Sequence, residues 1–188
     1  MTTVYFVRHA ESDHQNRDER TRELSPRGMQ DKERVTRFLS DKGVDVAFSS
    51  PYQRAIDTIA DFTGRQELKI HCEEDFREWR RDARGFESFE EMCRGCWTEF
   101  DFKSPDSESL REVQERNIGA LEKILERFQG KTVIIGTHGM ALSTVLNYYD
   151  ANFGYEDFKR LLPLMPLIVK LTFDGKRCLT IEQISFSS

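Results

Sequence analysis

Several things are scarce in this chain of 188 residues. No apolar run approaches the ~18 residues that a membrane span needs. The first segment, Met1 to Val7, is too short for a signal peptide and Arg8 interrupts it, so a cytoplasmic protein with no membrane partner is expected. Basic residues are not in excess: 28 Lys and Arg stand against 33 Asp and Glu, for a net charge of −5. A general nucleic-acid binder normally carries a basic surplus, so nucleic acid is not an expected partner. A local basic pocket for a small anion is compatible with that balance. The cysteines are Cys72, Cys93, Cys96 and Cys178, and nothing marks a secreted, disulfide-stapled scaffold. Internal repeats, low-complexity stretches and Pro/Gly/Ser linkers are also missing. One domain over 1–188 is therefore expected, within the prior of about 100–200 residues per domain. A chain with 38% apolar residues and 14 Phe can bury a core and is not read as disordered.

What is present alternates between two patterns. Short runs rich in Val, Ile and Phe read as strands, at 4–7, 44–48, 68–71 and 132–136. Amphipathic stretches follow them. Ser25-Pro26 fits an N-cap and first helical residue, with Val35, Phe38 and Leu39 as the apolar stripe and Gly43 as the stop. Ser50-Pro51 repeats that start signal ahead of Ala55, Ile56, Ile59 and Phe62. Ser109 and Glu112 match a capping box before a long helix that Gly130 stops, and a short helix is expected over 141–149. Near the end, Asp174-Gly175 reads as a hairpin turn between runs at 167–173 and 178–184. The pattern predicts a three-layer α/β fold: a mostly parallel central sheet, helices on both faces and an antiparallel edge. The aromatic-rich stretch 73–104 lacks clean periodicity and is read as an excursion forming a wall or lid.

Three strands run directly into polar residues: the first into Arg8-His9, the second into Ser49-Ser50-Pro51 with Arg54 just beyond, and the fourth into Thr137-His138-Gly139. In an open parallel sheet such carboxyl ends border the ligand crevice. Guanidinium groups and helix N-termini gathered there suit an anion with several oxygens, such as phosphate.

The segments Val7-Arg8-His9-Ala10-Glu11-Ser12, Leu24-Ser25-Pro26-Arg27-Gly28, Ser49-Ser50-Pro51-Tyr52-Gln53-Arg54-Ala55 with Thr58, and Thr137-His138-Gly139 together resemble the histidine phosphatase superfamily, which includes cofactor-dependent phosphoglycerate mutases. The resemblance rests on the ordered set, from the first strand to at least the helix after His138. It implies that His9 is the nucleophile that becomes a phosphohistidine, while Arg8, Arg54 and His138 hold the phosphoryl oxygens. It further implies an acid/base carboxylate after the third strand. Phe76-Arg77-Glu78 matches that position, with Glu73, Glu74, Asp75 and Glu87 as neighbouring competitors. Two departures stand out. Ala10 replaces a common Gly, and Gln15 stands where the mutase branch has a phosphate-binding Asn, leaving Gln15 or Asn16 as substrate-binding candidates.

Several of these residues have plainer readings. His14 and His71 are read as structural. Glu108 is read either as lining the site or as a solvated acid at a helix start. Cys93-Arg94-Gly95-Cys96 has no second cysteine pair to complete a zinc site and is read as ordinary reduced thiols. Arg77, Arg80, Arg81, Arg84 and Arg94 either face the crevice, favouring a second negative group on the substrate, or face water. The expected activity is a metal-independent, cofactor-free phosphatase acting on small phosphate monoesters. The alternatives are a phosphoglycerate mutase, a phosphoprotein phosphatase and a non-catalytic phospholigand-binding regulator. The modest length favours hydrolysis over the mutase, the aromatic-rich stretch favours a small substrate over a protein, and the presence of His9 and Glu78 speaks against the regulator.

Overall fold

The computed structural model describes residues 1–184 and Phe186. Ser185, Ser187 and Ser188, the end of the expected 1–188 domain, lie outside the described residues. The strands are β1 (Thr2–Arg8), β2 (Val46–Ser49), β3 (Ile70–Cys72), β4 (Thr132–Thr137), β5 (Leu167–Asp174) and β6 (Arg177–Ile184). The helices are α1 (Pro26–Leu39), α2 (Gln53–Arg65), α3 (Phe89–Thr98), α4 (Leu110–Arg127), α5 (Gly139–Tyr149) and α6 (Tyr155–Leu161), with a 3₁₀ turn at Glu74–Phe76. One sheet runs in the order β3-β2-β4-β1-β5-β6. Strands β1 to β4 are parallel, whereas β5 runs antiparallel to β1 and β6 antiparallel to β5. The mostly parallel sheet with an antiparallel edge is thus what the chain forms.

The layers follow from the two-residue period of the strands. Val4 and Phe6 of β1, with Val133 and Ile135 of β4, pack against Leu121, Ile124 and Leu125 of α4 and Leu142 and Val145 of α5. The alternate residues Tyr5, Val7 and Ile134 pack against Val35 and Leu39 of α1 and Ile59 and Phe62 of α2. Each such side chain contributes roughly 1.5–3 kcal/mol when fully buried. A third cluster joins the aromatic-rich excursion to the body, with Trp79, Met92, Cys93 and Cys96 against Leu110, Met140 and Phe158. No helix among the described residues is long and apolar enough to cross a membrane.

Local signals explain the starts of α1 and α4. Ser25 Oγ accepts from the Gly28 amide at 3.1 Å with Pro26 in the first turn, and Ser109 and Glu112 cap α4 reciprocally. Other expectations need correction. Ser40, not Gly43, caps α1, and Gly43, at φ 61°, lies three residues beyond that cap. Ser50-Pro51 does not open α2. Tyr52 is the N-cap, because the Ser50 hydroxyl instead pairs with the Tyr52 amide (3.2 Å) and the His138 ring (2.7 Å). The hairpin turn is Gly175-Lys176, one residue later than read, with Gly175 supplying the positive φ of 57°. Helix α6 was not foreseen, since only Phe158 and Leu161 of its seven residues are buried.

Gly28 is where the loop after β1 closes onto α1. A Cβ at this position would collide with the Glu11 carbonyl oxygen. The Ser25 amide and hydroxyl hold Glu11 in place at 2.9 and 2.6 Å. Gly28→Ala is therefore expected to cost at least the ~1–3 kcal/mol of an overpacked site. A lowered urea midpoint checks this, and an unchanged midpoint would show that the loop moves aside freely.

Candidate active site

The register of the parallel strands brings the three polar strand ends together. Arg8 lies opposite Thr137 and Ser49 opposite Gly136. The pairing continues past the strands, with the His9 amide donating to Thr137 O (3.1 Å) and the Ser50 amide to Gly136 O (2.8 Å). The His9 and His138 rings therefore meet edge to face, with centroids 5.3 Å apart. Behind them, the Ala10 amide donates to Thr58 Oγ1 (3.0 Å), and that hydroxyl donates to Arg54 O (2.7 Å), which ties the loop to α2.

A cavity of about 320 Å³ opens above these strand ends. Arg8, His9, Arg54 and Glu78 line it, as do Ser12, His14, Glu19, Arg22, Trp79 and Arg81. His9 Nδ1 lies 2.7 Å from Ala10 O. A carbonyl can only accept, so Nδ1 carries the proton and Nε2 keeps its lone pair. Arg54 Nε stands 3.3 Å from that Nε2. Burial first, then the Arg54 and Arg8 charges, hold the His9 pKa well below its ordinary value, so the ring is neutral. His138 is likewise held neutral, by burial and then by Arg54.

Arg8 Nη1 donates to Leu161 O (2.6 Å), Leu162 O (3.0 Å) and Leu164 O (3.2 Å) around the C-terminal end of α6, where the helix dipole favours a cation. Burial lowers its pKa to about 10, still charged at neutral pH. Gly139 leaves room for the Arg8 guanidinium, since a Cβ there would stand 3.3 Å from it. Arg54 reaches Glu19 twice, Nη1 to the carbonyl (2.7 Å) and Nη2 to Oε2 (2.8 Å), and Arg22 binds Glu19 Oε1 at 2.7 Å. Burial alone would raise the Glu19 pKa, but these two arginines outweigh it and hold the carboxyl below its ordinary value. Glu78 sits on the N-terminus of α5. Its Oε1 accepts from the Trp79 (2.8 Å) and Ala141 (3.0 Å) amides, and Oε2 accepts from Met140 (3.1 Å).

The sequence-predicted residues fare differently. Arg8, His9, Arg54 and Glu78 converge on the cavity. His138 adjoins His9 but is 0% exposed and does not line the cavity, because its ring is wedged between His9 and Tyr52 with Nε2 on Ser50. Gln15 and Asn16 point elsewhere. The loop folds on itself there, with the Gln15 amide on Asp13 Oδ1 (2.9 Å) and the Asn16 side chain on Thr21 Oγ1 (3.4 Å) and the Asp18 amide (3.0 Å). Neither lines the cavity. His14, read as structural, stands on the cavity wall. Glu108, read as a site or solvated acid, is buried and ion-paired instead. Of the five arginines between 77 and 94, Arg81 lines the cavity, its guanidinium 5.3 Å from the Phe89 ring centroid. Arg84 and Arg94 pair with acids at the surface. Cys93 and Cys96 are free and buried, and burial pushes the Cys93 thiol up to about 12.

Glu19 and Arg22 had no motif to reveal them. The loop returns to the site because Ser12 and Leu24 form an antiparallel bridge and the Asp13 amide bonds Glu23 O (2.9 Å), a closure between residues with no spacing signal.

Comparison with known proteins points in one direction. The family model of the histidine phosphatase superfamily (branch 1) matches residues 4–183. The chain is 30% identical over 151 residues to an uncharacterized phosphatase, PhoE, of Bacillus subtilis (strain 168), covering 78% of this chain and 76% of that one. Phosphoserine phosphatase from Entamoeba histolytica, solved with phosphoserine, superposes with a TM-score of 0.74 at 21% identity, covering 100% of this chain and 98% of that one. Mycobacterial glucosyl-3-phosphoglycerate phosphatase gives a TM-score of 0.77 at 16% identity, covering 96% and 97%. At such identities the two structures show the shared fold.

Proposed function

The chain belongs to the histidine phosphatase superfamily, and we propose that it hydrolyses small-molecule phosphate monoesters through a phosphohistidine on His9, without a metal ion. The observation that carries this reading is the His9 ring. Its Nδ1–H is pinned to Ala10 O, which leaves the Nε2 lone pair unprotonated; in the resting site that lone pair accepts a long hydrogen bond from Arg54 Nε (3.3 Å), which an incoming phosphoryl group would take over. In the first displacement the Nε2 lone pair forms a bond to phosphorus and the ester P–O bond breaks. Glu78 gives its proton to the departing alkoxide. Two amides occupy Glu78 Oε1 and one occupies Oε2, so Oε2 is the oxygen left to carry that proton. In the second displacement water attacks phosphorus, Glu78 takes the water proton, and the P–N bond breaks to restore His9 and release phosphate.

The transition state spreads negative charge over the phosphoryl oxygens, and cationic donors stabilise it. Arg8, Arg54 and Arg22 supply that charge around the cavity. His138 lies outside the cavity lining, with an Nδ1 that is buried and without a hydrogen-bond partner among the described residues, so its contribution in this reading is to back the neutral His9 ring. Among the described residues no three His, Cys, Asp or Glu side chains gather to hold a metal ion.

The test is a panel of monoesters, including phosphoserine, 3-phosphoglycerate, 2,3-bisphosphoglycerate and p-nitrophenyl phosphate, assayed for released phosphate before and after exhaustive chelation. Hydrolysis should persist at full rate in EDTA. Loss of activity that a divalent ion restores would overturn the metal-free reading. Transfer between phosphoglycerates without net phosphate release would make the protein a mutase.

A further inference from the structure

Glu78 is carried on irregular chain. Between the 3₁₀ turn ending at Phe76 and the start of α3 at Phe89 there is no helix or strand. Such a stretch has no ladder to satisfy its backbone, so its carbonyls need other donors where they are buried. One side chain of α4 supplies them. Arg116 Nη1 donates to Asp75 O (2.7 Å) and Arg77 O (2.8 Å), and Nη2 donates to Glu78 O (3.2 Å). The same guanidinium forks onto Glu108, Nε to Oε1 (2.9 Å) and Nη2 to Oε2 (3.1 Å).

Glu108 holds the other side of the stretch. Its Oε1 takes Arg77 Nη2 (2.6 Å) and its Oε2 takes the Arg80 amide (3.0 Å). Its backbone carbonyl takes Trp79 Nε1 (2.8 Å), and its amide donates to Arg80 O (2.8 Å). The Arg116 and Glu108 side chains are only 10% and 8% exposed. A buried pair of this kind is weak evidence for stability, because desolvating two charges offsets much of their attraction. Its geometry points to another purpose, since every side-chain hydrogen bond the pair makes outside itself goes to residues 75–80.

We propose that the Arg116–Glu108 pair is the positioning device for Glu78, fixing that residue's backbone to α4 while its carboxylate rests on α5. The two supports are separate. Met140 and Ala141 hold the carboxylate, and Arg116 holds the carbonyl of the same residue. Proton transfer requires the donor within hydrogen-bond reach of the leaving oxygen, and the clamp removes the freedom of the loop to carry it away. Arg116 and Glu108 do not line the cavity, so they act through Glu78 and not on substrate.

The proposal rests on Glu78 as the proton donor, and the experiment separates the two claims. Arg116→Lys keeps a charge but loses the planar fork that reaches three carbonyls and a carboxylate at once. Glu108→Gln keeps the shape and is the second variant should Arg116→Lys not fold, with thermal melts checking both. The phosphorylation step is measured by rapid quench for an alkyl phosphate and for p-nitrophenyl phosphate. The alkyl substrate should lose about 10–100-fold, a part of what general acid catalysis supplies, and p-nitrophenyl phosphate less than about 3-fold. Combined with Glu78→Gln, either variant should add little further loss for the alkyl substrate, because both act through one group. Equal losses for the two substrates, or losses that multiply on the Glu78→Gln background, would overturn the clamp. If Glu78→Gln itself shows no dependence on the leaving group, the assignment of Glu78 fails first. If Glu78→Gln shows that dependence and the clamp variants do not, the clamp alone fails.

Discussion

His9→Ala is expected to abolish turnover, a loss on the order of 10⁵–10⁶-fold, and to eliminate acid-labile phosphoenzyme. The size follows from the lack of a substitute nucleophile. His138 is fully buried with Nε2 committed to Ser50, and the Cys93 thiol is held protonated by its burial. The three arginines that neutralise an anion remain, so phosphate should still bind to His9→Ala in a calorimetric titration. Retained binding with no covalent labelling would assign His9 to chemistry alone. Radiolabel incorporated from substrate into His9→Ala would transfer the nucleophile elsewhere.

Glu78→Gln should produce a defect that depends on what departs. A sugar or alkyl alkoxide needs a proton, so its phosphorylation step should slow by about 10²–10⁴-fold. p-Nitrophenolate leaves largely unaided, so phosphorylation by its ester should be far less affected. Dephosphorylation then lacks its base, and phosphoenzyme should accumulate with that substrate. The substitution also places an amide NH₂ against the α5 amides, which costs one hydrogen bond, typically 0.5–1.5 kcal/mol net. A rapid-quench comparison of both substrates decides the matter. Equal losses in the phosphorylation step would move the role to another carboxylate, with Glu73, Glu74, Asp75 and Glu87 as the sequence neighbours.

The legible parts of this molecule share a property: each is local. His9, Arg54 and His138 stand beside apolar runs that declare strands, and a parallel sheet then brings their ends together without further information. The caps Ser25 and Ser109 are equally local, since each serves an amide three residues ahead. What escaped the sequence depends on tertiary closure. Glu19 and Arg22 enter the cavity only because the Ser12–Leu24 bridge turns their loop around. Glu108 was weighed as a site or surface acid because the partner that buries it, Arg116, lies two turns further along the helix and acts through a third segment. Gln15 matched a family position by count, yet the loop contracts around Asp13 and Asp18 and leaves it outside. Helix α6 offered too few buried positions to show a period, although its last carbonyls hold Arg8.

The Glu19 carboxylate, bridging Arg54 and Arg22, changes what substrate binding means. The site does not wait as bare positive charge; its resident anion is already attached to the chain. On the proposed function, binding would exchange one counter-ion for another, and the free energy released would be the difference between two ion pairs. A tethered competitor is present at high local concentration and never diffuses away. A weak monoanion offers the arginines little that Glu19 does not already supply. A phosphoryl dianion, with more charge and three oxygens to share among Arg8, Arg22 and Arg54, offers considerably more. If the arginines bind a phosphoryl group as proposed, the carboxylate that the loop already brings to them sets the charge which that group has to exceed.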